Sequence, residues 1–402
     1  MNKPSLNRTA IAQLDQLGLP PDTHKVALAC ALLWTFRSNT DVHRLLGLSG
    51  LVNCAGKAFT AADVKSATLA LRQNDQLVED PARPAAFHLV DELRAPLYRQ
   101  LLETHGGNTL AQLVADLDHF DPARSSYYWP TGSLPTTIAY LRARFYSGAP
   151  SEELSHLKQV LSRSMDWPQI VVKALLLPFD GPSFEHIEPT WRSQLAYQAV
   201  VTVCLYWAPE YRPVADWAGE QLRRHADWLS EDLRLALADL ATQGADSELR
   251  EAALVGIEEG LRAGIGAAAL VLDGQWQAGQ AAFEAALKQR KSEIGGHKNL
   301  LPTTIAWLYP LSLLAQTTPR HLELARRFCA GEAGKRDPSP HDSWGRWAHA
   351  IDVRLGKAPI KRTAFRAVEE PSARWTLDAL WAILLAAWLG REMVAEADPA
   401  AP

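Results

Sequence analysis

Residues 264–296 read GIGAAALVLDGQWQAGQAAFEAALKQRKSEIGG, and residues 297–314 continue HKNLLPTTIAWLYPLSLL. Ala267, Leu270, Gly274, Trp276, Gly279, Phe283, Ala286 and Leu287 set small, large and turn residues where a helix, a tight turn and an antiparallel partner helix need them. Small residues let two helix backbones approach, and glycine supplies the turn. The stretch therefore predicts one helical hairpin, its aromatic positions filled by packing. Packing does not call for the basic run at its exit. Lys288, Arg290, Lys291 and Lys298 stand there with only Glu293 against them, around the Gly295-Gly296 turn.

Outward from this hairpin the same pattern recurs. TLAQLVADLDHF, LPTTIAYLRARFYSG, EELSHLKQVLSRSM, WPQIVVKALLLPF, EPTWRSQLAYQAVVTVCLYW, VADWAGEQLRRHADWL, SEDLRLALADLATQG and SELREAALVGIEEGLRAG are amphipathic helical segments separated by turn signals. None can bury its apolar face alone, so stacking in pairs into an α-solenoid is the expected solution. The fold class is mainly α. Three parts are expected: a winged-helix-like subdomain at 1–105, a helical-repeat domain at 106–392 and a linker or tail at 393–402.

The first part opens with a short leader helix closed by Gly18 and Pro20-Pro21, then VALACALLWTF, apolar nearly all round and so a buried helix. Helices follow at Asp41 to Leu46 and its continuation and at Thr60 to Gln73. In the second, Thr60-Ala-Ala-Asp63 has the form of a capping box. QLVEDPARPAAFHLV supplies two short extended runs. Three helices and a hairpin are winged-helix order, which would place the helix at 60–73 in a major groove. Lys57, Thr60, Lys65, Ser66, Thr68 and Arg72, with Arg83 in the wing, are the candidate DNA contacts. Asp63, Asp75, Glu79 and Asp80 sit among them, so the electrostatic footprint is thin. Packing of the wing on the solenoid or on a partner is the competing role. A second basic stretch, Arg354, Lys357, Lys361, Arg362 and Arg366, is free of acids until Glu369; either stretch could meet a phosphate backbone or an acidic partner face, and a merely solvated helix end is the more frequent origin of such a run.

Composition and motifs exclude several classes. The 402 residues carry a net charge of -4 and 47% apolar content, which suits a folded protein with a sizeable core and no global basic field. The four cysteines, Cys30, Cys54, Cys204 and Cys329, form no C-x-x-C pair and read as reduced, mostly buried thiols in a cytoplasm. The N-terminus has no apolar core of a secretory signal, and the run at 377–389 is too short to span a bilayer. Gly56-Lys57 and Gly334-Lys335 lack the spacing and the Ser/Thr of a phosphate-binding loop. No cofactor or metal is called for. Glu185, His186 and Glu188 read as a solvated loop before a helix, and His341, Asp342 and His349 lack a nucleophile to serve. The 14 tryptophans, among them Trp129, Trp191, Trp207, Trp217, Trp228 and Trp307, fall at helical spacing and read as inter-helix filling.

Two resemblances follow from these residues. Ala267, Leu270, Gly274, Trp276, Gly279, Phe283 and Ala286 occupy in order the slots of a tetratricopeptide repeat. Gly279 stands where alanine is usual, and Lys291 near where a closing proline is expected. The neighbouring pairs would then be degenerate tetratricopeptide-like hairpins. Residues 272–329, with Gly-x-Trp, Phe-Glu-x-Ala-Leu, the basic Gly-x-x-Lys and Leu-Leu-Pro, resemble a block in the N-terminal region of bacterial Swi/Snf-type DEAD/DEAH-box helicases. The resemblance implies a non-catalytic accessory region that scaffolds protein and contacts DNA beside a helicase motor. The ending REMVAEADPAAP has the look of a linker before such a motor. The alternative is a free-standing bacterial regulator or scaffold with a DNA-binding winged helix and a partner-sensing repeat domain.

Overall fold

The computed structural model describes residues 19–36, 38–79, 86–118, 120, 134–163, 166–177, 179–206, 208–295, 301–333 and 343–358. Residues 1–18 of the expected leader helix, the apolar run at 377–389 and the linker at 393–402 lie outside them. The described residues are mainly helical and contain one two-stranded antiparallel hairpin. No helix among them is long and apolar enough to cross a membrane. The chain divides into two compact units, Met1–Arg192 and Ser193–Pro402.

In the first unit the central element is α1 (Pro21–Leu33), buried continuously from Val26 to Leu33. A helix with no polar face must be covered on every side. It is packed by α2 (Asn39–Ser49), α3 (Ala61–Gln73), α4 (Asp91–His105), α5 (Gly107–Asp118), α6 (Leu134–Tyr146) and a hairpin strand. The hairpin pairs β1 (Leu77–Glu79) with β2 (Phe87–Leu89) in the register Leu77 to Leu89 and Glu79 to Phe87. Phe36, just beyond α1, bridges Phe87: its amide donates to the Phe87 carbonyl at 3.0 Å, and the Phe87 amide returns a bond at 2.8 Å. The expected capping box is complete. Thr60 Oγ1 accepts from the Asp63 amide at 3.2 Å, and Asp63 Oδ2 accepts from the Thr60 amide at 2.8 Å. Beyond α6 come α7 (Ser151–Leu161), α8 (Trp167–Leu175) and the single turn α9 (Gly181–Phe184). Phe145, Trp167 and Trp191 form an aromatic cluster, with the Phe145 and Trp191 rings edge to face at 5.5 Å.

Helix α10 (Pro189–Tyr206) contains the point of division. The second unit continues with α11 (Arg212–Arg223), α12 (Glu231–Gln243), α13 (Ser247–Ala253), α14 (Glu259–Leu272) and α15 (Trp276–Ile294). After these stand α16 (Thr303–Ala306), α17 (Leu308–Leu314), α18 (Pro319–Ala333) and α19 (Ser343–Arg354). The predicted hairpin is α14 and α15, turned at Gly274 with φ +77, a conformation that glycine takes without steric cost. Gly279 is glycine for a packing reason. A Cβ there would lie 2.5 Å from Val271 Cγ2 and 3.2 Å from the Val271 amide nitrogen, so alanine would push the two helices apart. Phe283 and Ala286 are fully buried, and the Phe283 ring lies 5.8 Å from Tyr309. Trp276 departs from the expectation: it is 38% exposed, and Leu272 on the other side of the turn is exposed too. The aromatic position after the turn is therefore not filled by packing. Elsewhere Trp307, stacking on buried Trp344 at 3.7 Å, does fill a layer, while Trp217 and Trp228 stack at 5.4 Å but are only half-buried. Trp129 and Trp207 lie outside the described residues.

Candidate functional site

The surface to weigh first is the outer face of α3. Its inner face is the stripe Val64, Ala67, Thr68 and Leu71, all buried. That leaves Lys65, Ser66, Leu69 and Arg72 exposed, and Lys65, Leu69 and Arg72 at i, i+4 and i+7 share one side of the helix. The structure thereby corrects one expected contact. Thr68 is buried, and its hydroxyl donates back to the Val64 carbonyl at 2.9 Å, so it faces the core and reads nothing outside. Thr60 is committed to the capping box. Arg83 lies outside the described residues.

The electrostatics of this face follow from the cap. Asp63 is held below the ordinary carboxylate value, first by the Thr60 amide, then by the Thr60 hydroxyl and Asn53. The cap takes up the Thr60 and Asp63 amides, and the anionic Asp63 at this helix end repels a phosphate. Phosphate contact at this end therefore falls to side chains. Lys57 is exposed on an ordered turn, its amide donating to Asn53 Oδ1 at 3.0 Å and its carbonyl accepting from the Asn53 amide at 2.8 Å. Arg72 has its guanidinium carbon 3.7 Å from the Phe87 ring centroid, which steadies a cation beside the hairpin. Leu69, 53% exposed between Lys65 and Arg72, is the member of this face that went unnoticed in the sequence. Its position off the Val64-Ala67-Thr68-Leu71 stripe was the available signal.

The second unit treats its basic residues differently. Lys288 and Lys291 are exposed on α15, one turn apart. Arg290, expected beside them as a surface cation, is 8% exposed and ion-paired with Glu258 and Glu293, the latter at 2.9 Å. The reason is geometric: Arg290 points across the hairpin under Gly260, where a Cβ would sit 2.6 Å from Arg290 Cδ. Lys357, which the sequence shows free of acids, reaches Glu323 of α18 at 2.6 Å. Arg354 is exposed, and Lys298, Lys361, Arg362 and Arg366 lie outside the described residues.

Of the other clusters, His341 and Asp342 lie outside the described residues, and Glu188, in the cluster with Glu185 and His186, has a scaffold role. Glu188 caps α10, accepting from the Trp191 amide at 3.2 Å and the Thr190 hydroxyl at 3.1 Å. No group of metal-ligating residues stands together among the described residues. Cys30, Cys204 and Cys329 are buried, and burial pushes their thiols up, away from the thiolate that nucleophilic chemistry needs. Cys54 is exposed, and its thiol is raised first by a hydrogen bond with Asp22. Comparison with protein-family models, with curated proteins and with solved structures finds no match to this chain.

Proposed function

We propose that this chain is a non-catalytic interaction module serving a Swi/Snf-type DNA-translocating ATPase as an accessory region. In this reading the first unit meets duplex DNA and the helical hairpins of the second meet protein. The order α1, Phe36, α2, α3, β1, β2, with Phe36 bridging β2, supports a winged-helix arrangement, in which the third helix enters the major groove. The observation that carries the DNA limb is the outer face of α3, where Lys65, Leu69 and Arg72 project from a helix whose other face is anchored in the core. The protein limb rests on α14 and α15, whose Gly274 turn, close approach at Gly279 and buried Phe283 and Ala286 support a tetratricopeptide-like hairpin. Trp276, Lys288 and Lys291 are exposed on that hairpin and are the residues through which it would meet a partner.

Fluorescence anisotropy of a labelled duplex, titrated with the full chain across a salt series, tests the DNA limb. Three cations, Lys57, Lys65 and Arg72, predict a slope of log Kobs against log salt of about -3. Lys65→Ala with Arg72→Ala should lower that slope by about 2. Absence of binding at low salt, or an isotherm unmoved by the double substitution, rejects it.

A further inference from the structure

The crest of α3 carries a particular set of side chains. Opposite the buried Val64, Ala67, Thr68 and Leu71, the helical period sets Ala62, Ser66, Leu69 and Gln73 at i, i+4, i+7 and i+11, and all four are exposed. Lys65 and Arg72 fall on one flank of this crest. Arg72 is drawn over the Phe87 ring, its guanidinium carbon 3.7 Å from the centroid. With the crest turned into a major groove, the flanking cations lie toward the phosphates and the crest meets base edges.

The chemistry of the crest limits which edges it can tell apart. Guanine is read by Arg or Lys, and the amino group of cytosine by Asp or Glu. The crest holds neither kind of residue, and Asp63 beside it is taken up by the Thr60 cap. A serine such as Ser66 pairs with either. The groups with a distinct match are apolar Ala62 and Leu69 and the Gln73 amide. Thymine alone among the four bases puts a methyl group into the major groove, and adenine, its partner, offers the donor and acceptor that a Gln amide pairs with. Leu69, 53% exposed in the middle of α3, is the largest apolar group there. Lys57, Lys65 and Arg72 around it favour a polyanion as the occupant of this face over a neutral or basic protein surface.

We propose that Leu69 is a specificity-determining residue that packs against thymine 5-methyl groups in the major groove, so that α3 prefers duplex rich in A·T pairs. The inference rests on the DNA reading of α3 and adds its base preference. Cytosine methylated at C5 presents the same group in the same groove, so the preference follows the methyl group.

Competition anisotropy with the full chain tests this on two pairs of duplexes of equal length and mixed sequence order. One is A·T-rich and carries either thymine or deoxyuridine; the other is G·C-rich and carries either 5-methylcytosine or cytosine. Within each pair the phosphates and the base pairing are unchanged and only the methyl differs. The methylated member should bind about fourfold more tightly for each methyl contacted, the worth of burying one such group. Leu69→Ala shortens an exposed side chain, keeps a good helix former and removes no charge. It should bring the members of each pair close to equal affinity while leaving the salt slope as it is. Salt-dependent binding with equal affinity within either pair, or a methyl preference that survives Leu69→Ala, overturns this inference and leaves the DNA reading standing. Absence of binding to every duplex at low salt removes both.

Discussion

Arg142 in the first unit and Arg290 in the second are both buried, and they are held in opposite ways. Arg290 is answered by acids. It pairs with Glu258 and Glu293, while Glu293 Oε1 also accepts from the Gly260 amide at 2.9 Å and from Gln289 at 3.1 Å. The whole cluster clamps the start of α14 to the end of α15. Arg142 is answered by two helix-end carbonyls and an aromatic ring, with a donor left over. A buried cation matched by carboxylates holds a shape and needs nothing further. One matched by neutral groups has no carboxylate to answer it, and burial pushes its pKa down to about 9.

The comparison breaks most visibly at Arg142. Arg142→Met should cost about 3 kcal/mol, because two carbonyls in the last turn of α8 lose their donors and Trp34 loses a cation. Urea unfolding followed by tryptophan fluorescence reads this loss, and Arg142→Lys should restore little of it, since an ammonium cannot fork to both carbonyls. A cost below about 1 kcal/mol would show the site to be slack. Arg290→Met should cost about 2 kcal/mol, less than a fully buried pair because Glu258 is more than half exposed. Combined with Glu293→Gln, the loss should fall short of the sum of the two, and strict additivity would mean that the two do not form a unit.

Smaller effects sharpen the contrast. Gly260→Ala should cost about 1 kcal/mol, since its Cβ displaces the flexible Arg290 stem while alanine favours the helix. Differential scanning fluorimetry suffices, and an unchanged midpoint would remove the steric argument. Least in size is an acid limb. Glu293 is held below its ordinary value of 4.5, first by its bond from Arg290. Its contribution is thus complete above that value and fades as pH falls through the lowered one. Arg290→Met should flatten this limb in a pH series of melting temperatures, whereas Arg142→Met should leave it in place.

What the sequence showed and what it hid divide along the distance between partners. The Thr60-Asp63 cap and the Gly274 turn are made by residues within four positions, so the pattern alone displayed them. Arg290 looked like a surface cation because its acid Glu258 stands 32 positions away, and Lys357 looked unpaired because Glu323 is 34 away. Arg142 looked like any arginine in an amphipathic helix. Nothing nearby announces Trp34, or the carbonyls 31 and 32 positions on. Thr68 was within reach of the sequence, since it falls on the same stripe as Val64 and Leu71. Choosing it for its hydrogen-bonding group overrode the periodicity that buries it.

The central claim is that the outer face of α3 meets duplex DNA, and photocrosslinking tests it most directly. Benzoylphenylalanine placed at Leu69, between Lys65 and Arg72, should crosslink to a labelled duplex at low salt. The same group at exposed Val255 should not. Equal labelling at both positions, or none at Leu69 while the chain still binds the duplex, would contradict it.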